Sequence, residues 1–337
     1  MPKSMSLPFA YETKLSPMET AIATQHVKEH FSKQLSEKLC LWKVSAPLFL
    51  NEKTGLNDNL NGFERTVAFD AHDVKGEKLE IVQSLAKWKR TALAKYGFPV
   101  NTGLYTDMNA IRRDEELDNL HSIYVDQWDW EKIISDEQRN VNTLKDEVEK
   151  IYSAITSTEK HVHELYPKLK PVLPKVITFI TTQELELIYP SFTPKEREDA
   201  IAKEYGAVFI MQIGDKLRSG EKHDGRSPDY DDWTMNGDIV VWYPTLNRSL
   251  ELSSMGIRVD VNALLRQLKT ANCEDRLNLE YHQSILHGKL PYTIGGGIGQ
   301  SRLCMFLLQK VHIGEVQVSV WNDEIIQECE KRNIYLL

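Results

Sequence analysis

A cluster of glycines near the end of the sequence, Gly295-Gly296-Gly297-Ile298-Gly299, precedes Arg302. Closely spaced glycines let backbone amides approach a ligand, and a guanidinium can pair with phosphate oxygens. The cluster is not a P-loop, and Gln300 stands where a dinucleotide-binding fingerprint would have its third glycine. We interpret Gly297 and Arg302 as parts of a different kind of platform for a base and its phosphates. The alternative is a flexible turn.

A second candidate group lies in the segment 121–130, which contains His121, Gln127 and Asp129. Alternation along a strand places Gln127 and Asp129 on the same face, and both side chains can hold a small polar ligand. A carboxylate on an apolar strand is costly unless it is paired. The segment is therefore a candidate binding strand, with an ordinary surface strand as the alternative.

Acidic residues suggest a third group. Alternation predicts that Glu251, Ser253 and Met255 share one strand face, and Asp238 lies on the preceding strand. Carboxylates on neighbouring strands can hold Mg²⁺, which prefers one or two carboxylates together with substrate phosphates. The aspartate-rich loop 228–233 comes just before the Asp238 strand. A plain sheet and a solvated loop are the alternatives.

The histidines and cysteines could in principle form a zinc site or a nucleophilic site. His26 and His30 on a predicted helix match a zinc-protease pattern, but no third ligand is evident, so a packed helix is expected. The cysteines form no CxxC pair and lie in no nucleophile signature, and a reducing compartment is the default. They are Cys40, Cys273, Cys304 and Cys329.

The overall charge narrows the class of partner. A formal net charge of -8 over 337 residues gives no general attraction to nucleic acid, and no dense basic block is present. No apolar run reaches the length of about 20 residues that crosses a bilayer, and no secretion signal is seen at the N-terminus. We expect a cytoplasmic protein with neither a nucleic-acid partner nor a membrane partner.

Apolar periodicity shows which elements position these residues. An amphipathic helix is predicted over 17–41, the longest helical pattern covers 138–165, and a capping box with proline starts a helix at Thr193 that ends before Gly206. Further helices are predicted at 85–96, 261–270, 275–287 and 300–310. Strands are predicted at 42–50, 66–70, 79–83, 120–126, 207–213, 238–243, 251–259 and 316–321.

The order of these elements predicts an α+β fold. Strands alternate irregularly with helices, without the strict βαβ order of a parallel sheet, so a mainly antiparallel sheet flanked by helices is expected. We expect residues 1–16 to form a poorly ordered leader and residues 17–337 to form a single catalytic domain.

A resemblance to a known family rests on several segments. The proline-bearing segment at Pro47, the Arg112 segment and the glycine cluster with Arg302 resemble, in order, the motifs of class II aminoacyl-tRNA synthetases. A closer resemblance, over about residues 17–325, is to ammonia-dependent asparagine synthetase (aspartate–ammonia ligase). It is carried by 58–60, 84–90, 121–130, 228–233, 251–259 and 295–303. The departures are the leader and a shortened stretch after Trp233.

The resemblance implies a homodimer with a class II synthetase-like core. It also implies the conversion of aspartate, ATP and ammonia into asparagine, AMP and pyrophosphate through a β-aspartyl adenylate. Its cofactors would be ATP and Mg²⁺. The alternatives are a class II aspartyl- or asparaginyl-tRNA synthetase paralogue, which would adenylate the α-carboxylate, and a non-catalytic regulatory protein on the same fold.

The resemblance also assigns roles to residues. It implies that Arg112 and Arg302 face the phosphates, that Asp58 accepts the proton of ammonium, and that Asp238 and Glu251 serve the metal. Substrate contacts are implied for Ser84, Lys89, Gln127, Asp129, Asp231 and Arg258. On the ATP side it implies Arg112, Asp238, Glu251, Ser254, Gly297 and Arg302.

Overall fold

A computed structural model describes residues 5, 7–8, 11–58, 60 and 64–337. Of the Asp58-Asn59-Leu60 segment, Asn59 lies outside the described residues, as does much of the leader. The α-helices are α1 (Pro17–Leu39), α2 (Ala86–Tyr96), α3 (Val141–Leu165), α4 (Thr182–Ile188), α5 (Pro194–Tyr205), α6 (Val261–Thr270), α7 (Glu280–Leu286), α8 (Gln300–Leu307) and α9 (Asp323–Lys331).

The strands form two sheets. They are β1 (Leu41–Lys43), β2 (Phe49–Asn51), β3 (Ala68–Ala71), β4 (Val74–Ile81), β5 (Gly103–Ile111), β6 (Tyr124–Ile133), β7 (Thr178–Thr181), β8 (Ala207–Met211), β9 (Asp231–Tyr243), β10 (Arg248–Arg258) and β11 (Thr293–Gly299). Within the described ranges, eight strands form the large sheet in the order β1-β5-β6-β11-β10-β9-β8-β7, and β2-β4-β3 form the small one.

The large sheet is mostly antiparallel. Only its outer pairs, β1 with β5 and β7 with β8, run parallel in the part of the chain that the structure describes. The expected α+β architecture with a mainly antiparallel sheet is therefore confirmed.

The two faces of this sheet differ. Trp128 and Trp130 of β6, together with Met255 and Ile298, belong to the main apolar core, against which the buried stripe of α1 also packs. Residues one position away in the strands, such as Gln127 and Asp129, point to the opposite face. The sheet thus separates a dry core from a face that is free to carry polar groups.

Local signals explain the helix boundaries. Ser16 caps α1 in a capping box with Glu19, and Pro17 takes the first helical position. Thr193 and Glu196 form the expected capping box of α5, which ends at Tyr205 with Gly206 as its C-cap. Such pairs satisfy the backbone N–H groups that a helix start leaves free.

Several predicted elements are wrong. The segment 316–321 forms no strand: Val318 and Val320 are 71% and 74% exposed, and the segment pairs with no strand among the described residues. The strand predicted at 120–126 begins only at Tyr124, and the predicted strand 42–50 is split into β1 and β2. The glycine cluster is neither a turn nor a loop but β11 itself, and α8 follows it directly.

The described part of the N-terminal segment contacts the domain. Met5, Leu7 and Leu15 belong to the main core, and the Tyr11 hydroxyl donates to Glu315 Oε2 at 3.0 Å. No helix among the residues described is long and apolar enough to cross a bilayer.

Candidate active site

The polar face of the large sheet carries a cavity of about 480 Å³. Most of the residues singled out in the sequence line it. They are Ser84, Lys89, Arg112, Gln127, Asp129, Asp231, Glu251, Ser254, Arg258, Gly297 and Arg302. Residues that are far apart in the sequence therefore meet in a single concave site.

The sheet register explains this convergence. Asp129 of β6 lies opposite Gly297 of β11, Gly297 lies opposite Ser254 of β10, and Ser254 lies opposite Asp238 of β9. Side chains that are directly opposed in a sheet share a face. A row across four strands thus places a substrate candidate at one end and a metal candidate at the other.

Lys89 reaches this row from α2. Its Nζ contacts Asp129 Oδ1 and donates to the carbonyl oxygen of Gly296 at 2.8 Å. Burial lowers the pKa of Lys89, while the neighbouring Asp129 opposes that shift. Asp129 Oδ2 is buried without a hydrogen-bond partner among the residues described. This oxygen can therefore accept a hydrogen bond from a ligand.

Arg258 organises the floor of the cavity. Its Nε and Nη2 donate to Glu131 at 2.9 Å and 2.6 Å, and its Nη1 contacts Asp231 Oδ1. Thr293 donates to Glu131 Oε1 at 2.7 Å. Burial raises the pKa of Glu131, but the Arg258 guanidinium outweighs burial and holds it below its ordinary value. Arg258 and Asp231 are thus fixed relative to each other before any ligand binds.

The glycines of β11 make room for these side chains. A Cβ at Gly295 would fall on Glu131 Oε2, and a Cβ at Gly297 would fall on Gln127 Oε1. Glycine is required at these two positions because polar side chains of β6 cross directly over them. The sequence did not suggest this use of glycine. Gly297 also lines the cavity, and its expected contact with a ligand stays a prediction.

The predicted face of β10 needs a correction. The register shifts between Glu251 and Ser253, which marks a β-bulge. Glu251 and Ser254 line the cavity, while Ser253 and Met255 are buried. The extra residue changes the alternation, so Glu251 does not share its face with Ser253 and Met255.

Asp238 is held by an arginine that the sequence did not single out. Arg226 Nη2 donates to Asp238 Oδ1 at 2.6 Å, and Nη1 contacts Ser254 Oγ. Burial raises the pKa of Asp238 to about 7, although Arg226 lowers it. Arg226 lies in the segment between β8 and β9, where a single arginine gives no pattern that sequence reasoning could use.

The two arginines assigned to phosphates also face the cavity. Arg302 Nη1 lies 3.3 Å from the carbonyl oxygen of Glu251 and 3.5 Å from its Oε2. Arg112 Nε is buried and has no hydrogen-bond partner in the described ranges. Unused guanidinium N–H groups in a cavity are donors available to an anion. Ser84 Oγ accepts from the Ala86 backbone N–H at 3.2 Å, at the start of α2.

Asp58 is placed behind the cavity lining. It is 1% exposed, and the Oγ of Ser227, which does line the cavity, lies 3.3 Å from Asp58 Oδ1. Burial raises the pKa of Asp58 to about 6, with Lys87 lowering it and Asp229 raising it. Asp229, Asp231 and Asp232 are buried as well, so the loop 228–233 is not simply solvated.

The histidines that match a zinc-protease pattern lie on a helix that packs against the rest of the domain. His30 of α1 stacks on His161 at 4.3 Å and contacts Thr158 Oγ1 at 3.1 Å, as expected for a packed helix. Among the described residues, no group of three or more His, Cys, Asp or Glu side chains is arranged to hold a metal. Glu251 lines the cavity and lies near enough to Asp238 to raise its pKa. Mg²⁺ bound together with phosphates needs only one or two carboxylates, so a Mg²⁺ site at this pair stays a prediction.

Comparison with known protein families gives a full-length match. The family model described as aspartate-ammonia ligase matches residues 18–333. A curated aspartate–ammonia ligase of Fusobacterium nucleatum is 62% identical over 97% of this chain and 100% of its own length. One from Clostridium perfringens is 59% identical over 99% of this chain and 100% of its own length.

Solved structures share the fold at low identity. The asparaginyl-tRNA synthetase of Pyrococcus horikoshii, solved with asparaginyl-adenylate, has a TM-score of 0.64 at 15% identity and covers 88% of this chain and 68% of its own. A putative aspartyl-tRNA synthetase of Leishmania major has a TM-score of 0.63 at 15% identity and covers 89% of this chain and 64% of its own. The class II synthetase-like fold is thereby confirmed.

Proposed function

The chain belongs to the aspartate–ammonia ligase family and makes asparagine from aspartate and ammonia at the expense of ATP, and we propose that the cavity described above is where it does so. The observation that carries this proposal is the single row of Asp129, Gly297, Ser254 and Asp238 across four strands. Groups suited to an amino acid and groups suited to a nucleotide meet along it.

Aspartate occupies the Lys89 end of the row in this proposal. Lys89 and Ser84 bind its α-carboxylate, while Asp129 and Asp231 bind its ammonium. Gln127 orients the side chain from the same strand face as Asp129. The free acceptor Asp129 Oδ2 supports this arrangement, because a buried carboxylate oxygen is stabilised by a charged donor. Arg258 supports the site by fixing Asp231.

ATP occupies the other end. Its α-phosphate gains negative charge as the β-carboxylate of aspartate attacks it, and donors aimed at that charge lower the barrier. Arg112 and Arg302 are the guanidiniums assigned to this task, with Ser254 and the backbone at Gly297 beside them. The products of this step are the β-aspartyl adenylate and pyrophosphate.

Mg²⁺ fits the same end of the cavity. Asp238 and Glu251 would hold it, and the ion would neutralise phosphate charge when bound. Arg226 forms an ion pair with Asp238, and Arg302 forms one with Glu251. Both carboxylates therefore already serve as anchors for positive charge.

Ammonia enters in the second step, for which Asp58 is the proposed proton acceptor. Ammonium cannot attack until it loses a proton, and a carboxylate with a raised pKa is a better general base than an ordinary one. The raised pKa of Asp58, about 6, supports the role. The family resemblance adds a homodimer with no nucleic-acid partner to the proposal.

The test is to measure AMP release with each substrate omitted in turn. AMP release that requires both aspartate and ammonium, with asparagine formed in the absence of tRNA, supports the proposal. Formation of aspartyl-tRNA would overturn it in favour of a tRNA synthetase paralogue. Light scattering of the purified protein tests the dimer, and a monomer mass would contradict it.

A further inference from the structure

A group of buried charged residues behind the cavity has no role in the reaction as described so far. Its centre is Asp229, which is 0% exposed. Asp229 Oδ2 lies 3.0 Å from Lys87 Nζ, 3.0 Å from His282 Nε2 and 3.1 Å from Arg276 Nη1. Burial raises the pKa of Asp229, but these neighbours outweigh it and hold the pKa well below its ordinary value. Asp229 is therefore ionised at neutral pH.

Ser227 connects this carboxylate to Asp58. Its Oγ lies 2.8 Å from Asp229 Oδ1 and 3.3 Å from Asp58 Oδ1. A hydroxyl has a single hydrogen to donate, and an ionised acceptor at the shorter distance binds it more strongly. The Ser227 hydrogen therefore belongs to Asp229, and a lone pair of Ser227 Oγ faces Asp58.

This arrangement suits a protonated Asp58. If Asp58 were ionised, its Oδ1 would face the lone pair of Ser227 Oγ and would accept no hydrogen bond from it. Its Oδ2 is buried and has no partner among the residues described. An unsatisfied buried acceptor is costly, whereas an acid O–H on Asp58 can donate to Ser227. The other charged or titratable groups near Asp58 are Lys87 and Arg276, which favour the anion, and Tyr230, whose hydroxyl it affects.

We propose that Ser227 relays the ammonium proton to Asp58 and that Asp229 is a positioning residue, which acts through Ser227 to make Asp58 the final acceptor. The Ser227 hydroxyl turns from Asp229 to Asp58 and passes its hydrogen to Asp58 Oδ1, while an N–H bond of ammonium breaks and its proton passes to Ser227 Oγ. The freed lone pair of ammonia forms the C–N bond, and AMP leaves with the electron pair of the broken C–O bond. The phosphate of the departing AMP takes the second proton, which the nitrogen loses as the amide forms. Asp58 then donates to Ser227, and Ser227 donates to Asp229. This inference rests on the role of Asp58 proposed above.

The sharpest test is the pH profile of asparagine synthesis at saturating ATP and aspartate. Loss of the Asp229 anion favours ionised Asp58, so Asp229→Asn should move the acidic limb to lower pH by about one unit. Lys87→Met removes a cation instead and should move the limb to higher pH. Opposite shifts are not produced by a general loss of packing. A limb that stays in place in both variants would overturn the proposal.

Ser227→Ala gives a second measurement, which tests the proposed proton transfer even if Asp229→Asn does not fold. Aspartate-dependent ATP–pyrophosphate exchange reports the first step, and asparagine synthesis reports both steps. Without the hydroxyl, the ratio of synthesis to exchange should fall about tenfold or more, as expected for a lost proton-transfer group. An unchanged ratio would contradict a role for Ser227.

Asp58→Asn separates the two levels of the proposal. If this variant keeps its ammonia-dependent turnover, Asp58 is not the base, and both the role of Asp58 and the positioning role fall. If Asp58→Asn loses that turnover while the Asp229 and Lys87 variants keep the wild-type acidic limb, only the positioning role is wrong.

Discussion

The ammonium of Lys89 contacts the carboxylate of Asp129, and it also donates to the carbonyl oxygen of Gly296 at 2.8 Å. These two side chains are the ones proposed to bind opposite ends of the aspartate zwitterion. Each therefore serves as the other's counterion until the substrate arrives. Under this proposal, binding of aspartate would exchange one internal ion pair for two charged contacts with the ligand, which would limit the desolvation cost of the free site.

Lys89→Met removes the cation proposed for the α-carboxylate of aspartate. We expect the KM for aspartate to rise by about tenfold or more, which corresponds to about 1.4 kcal/mol, with little change in the KM for ATP. Lys95→Met is the matched control, because Lys95 lies exposed on the same helix. Steady-state kinetics measure both, and an unchanged KM for aspartate in the Lys89 variant would refute the assignment.

Arg302→Ala removes the donor proposed for the developing charge on the α-phosphate. We expect aspartate-dependent ATP–pyrophosphate exchange to fall about 100-fold or more, a typical loss for such a group. We expect Arg112→Ala to lower this exchange to a similar extent. Arg113→Ala is the control for Arg112, because Arg113 is exposed beside it. Retained exchange in the Arg302 variant would be inconsistent with a phosphate role.

Asp238→Asn weakens the proposed metal site. With fewer carboxylates, the Mg²⁺ concentration that gives half-maximal exchange should rise, and Glu251→Gln should act in the same direction. Asp73→Asn provides the control, since that side chain is 96% exposed. A magnesium titration of exchange activity makes the comparison. The assignment is wrong if the Asp238 and Asp73 variants titrate alike.

Glu131→Gln breaks the buried pair with Arg258. The pKa of Glu131 in the folded protein lies below its ordinary value of 4.5. The pair therefore stabilises the fold at neutral pH, and this contribution is lost as the pH falls through the folded pKa. Breaking such a pair costs about 3 kcal/mol or more.

Urea unfolding at neutral and acidic pH measures this effect. The difference between wild type and Glu131→Gln should shrink at acidic pH, while Glu37→Gln, at an exposed ion pair, should leave the unfolding free energy nearly unchanged. A difference that is the same at both pH values would show that lost packing, rather than lost charge, is measured.

Two glycine variants should separate stability from activity. In Gly295→Ala the new methyl meets Glu131, which Arg258 holds in place, so the melting temperature should fall clearly. In Gly297→Ala it meets the end of Gln127, which can turn away into the cavity. That variant should keep most of its stability and lose affinity for aspartate. The reverse pattern in thermal melting and kinetics would contradict the packing described for β11.

Sequence reasoning succeeds for features that depend only on residues close together in the chain. Thr193 and Glu196 predict the start of α5, because a capping box involves only neighbouring residues. The alternation of β6 likewise correctly places Gln127 and Asp129 on one face. Convergence of the site residues was expected only through the family resemblance. The sheet register that achieves it depends on long-range pairing.

Other features leave no local trace. The bulge after Glu251 shifts the alternation of β10, and a period-two pattern cannot reveal one extra residue. Glu131 gives no signal of its own, since only its contact with Arg258 makes it important. The valines of 316–321 have the right residue type for a strand, but strand propensity forms no strand where no partner is available.

The position of β11 has a consequence for synthesis of the protein on the ribosome. This strand lies between β6 and β10 in the sheet, yet it follows both in the chain. Until it emerges, β6 and β10 each lack a neighbour, and unpaired strand edges invite association with other chains. The nascent chain is thus most exposed to misassembly just before its last strand appears, when a chaperone would have the greatest effect on yield.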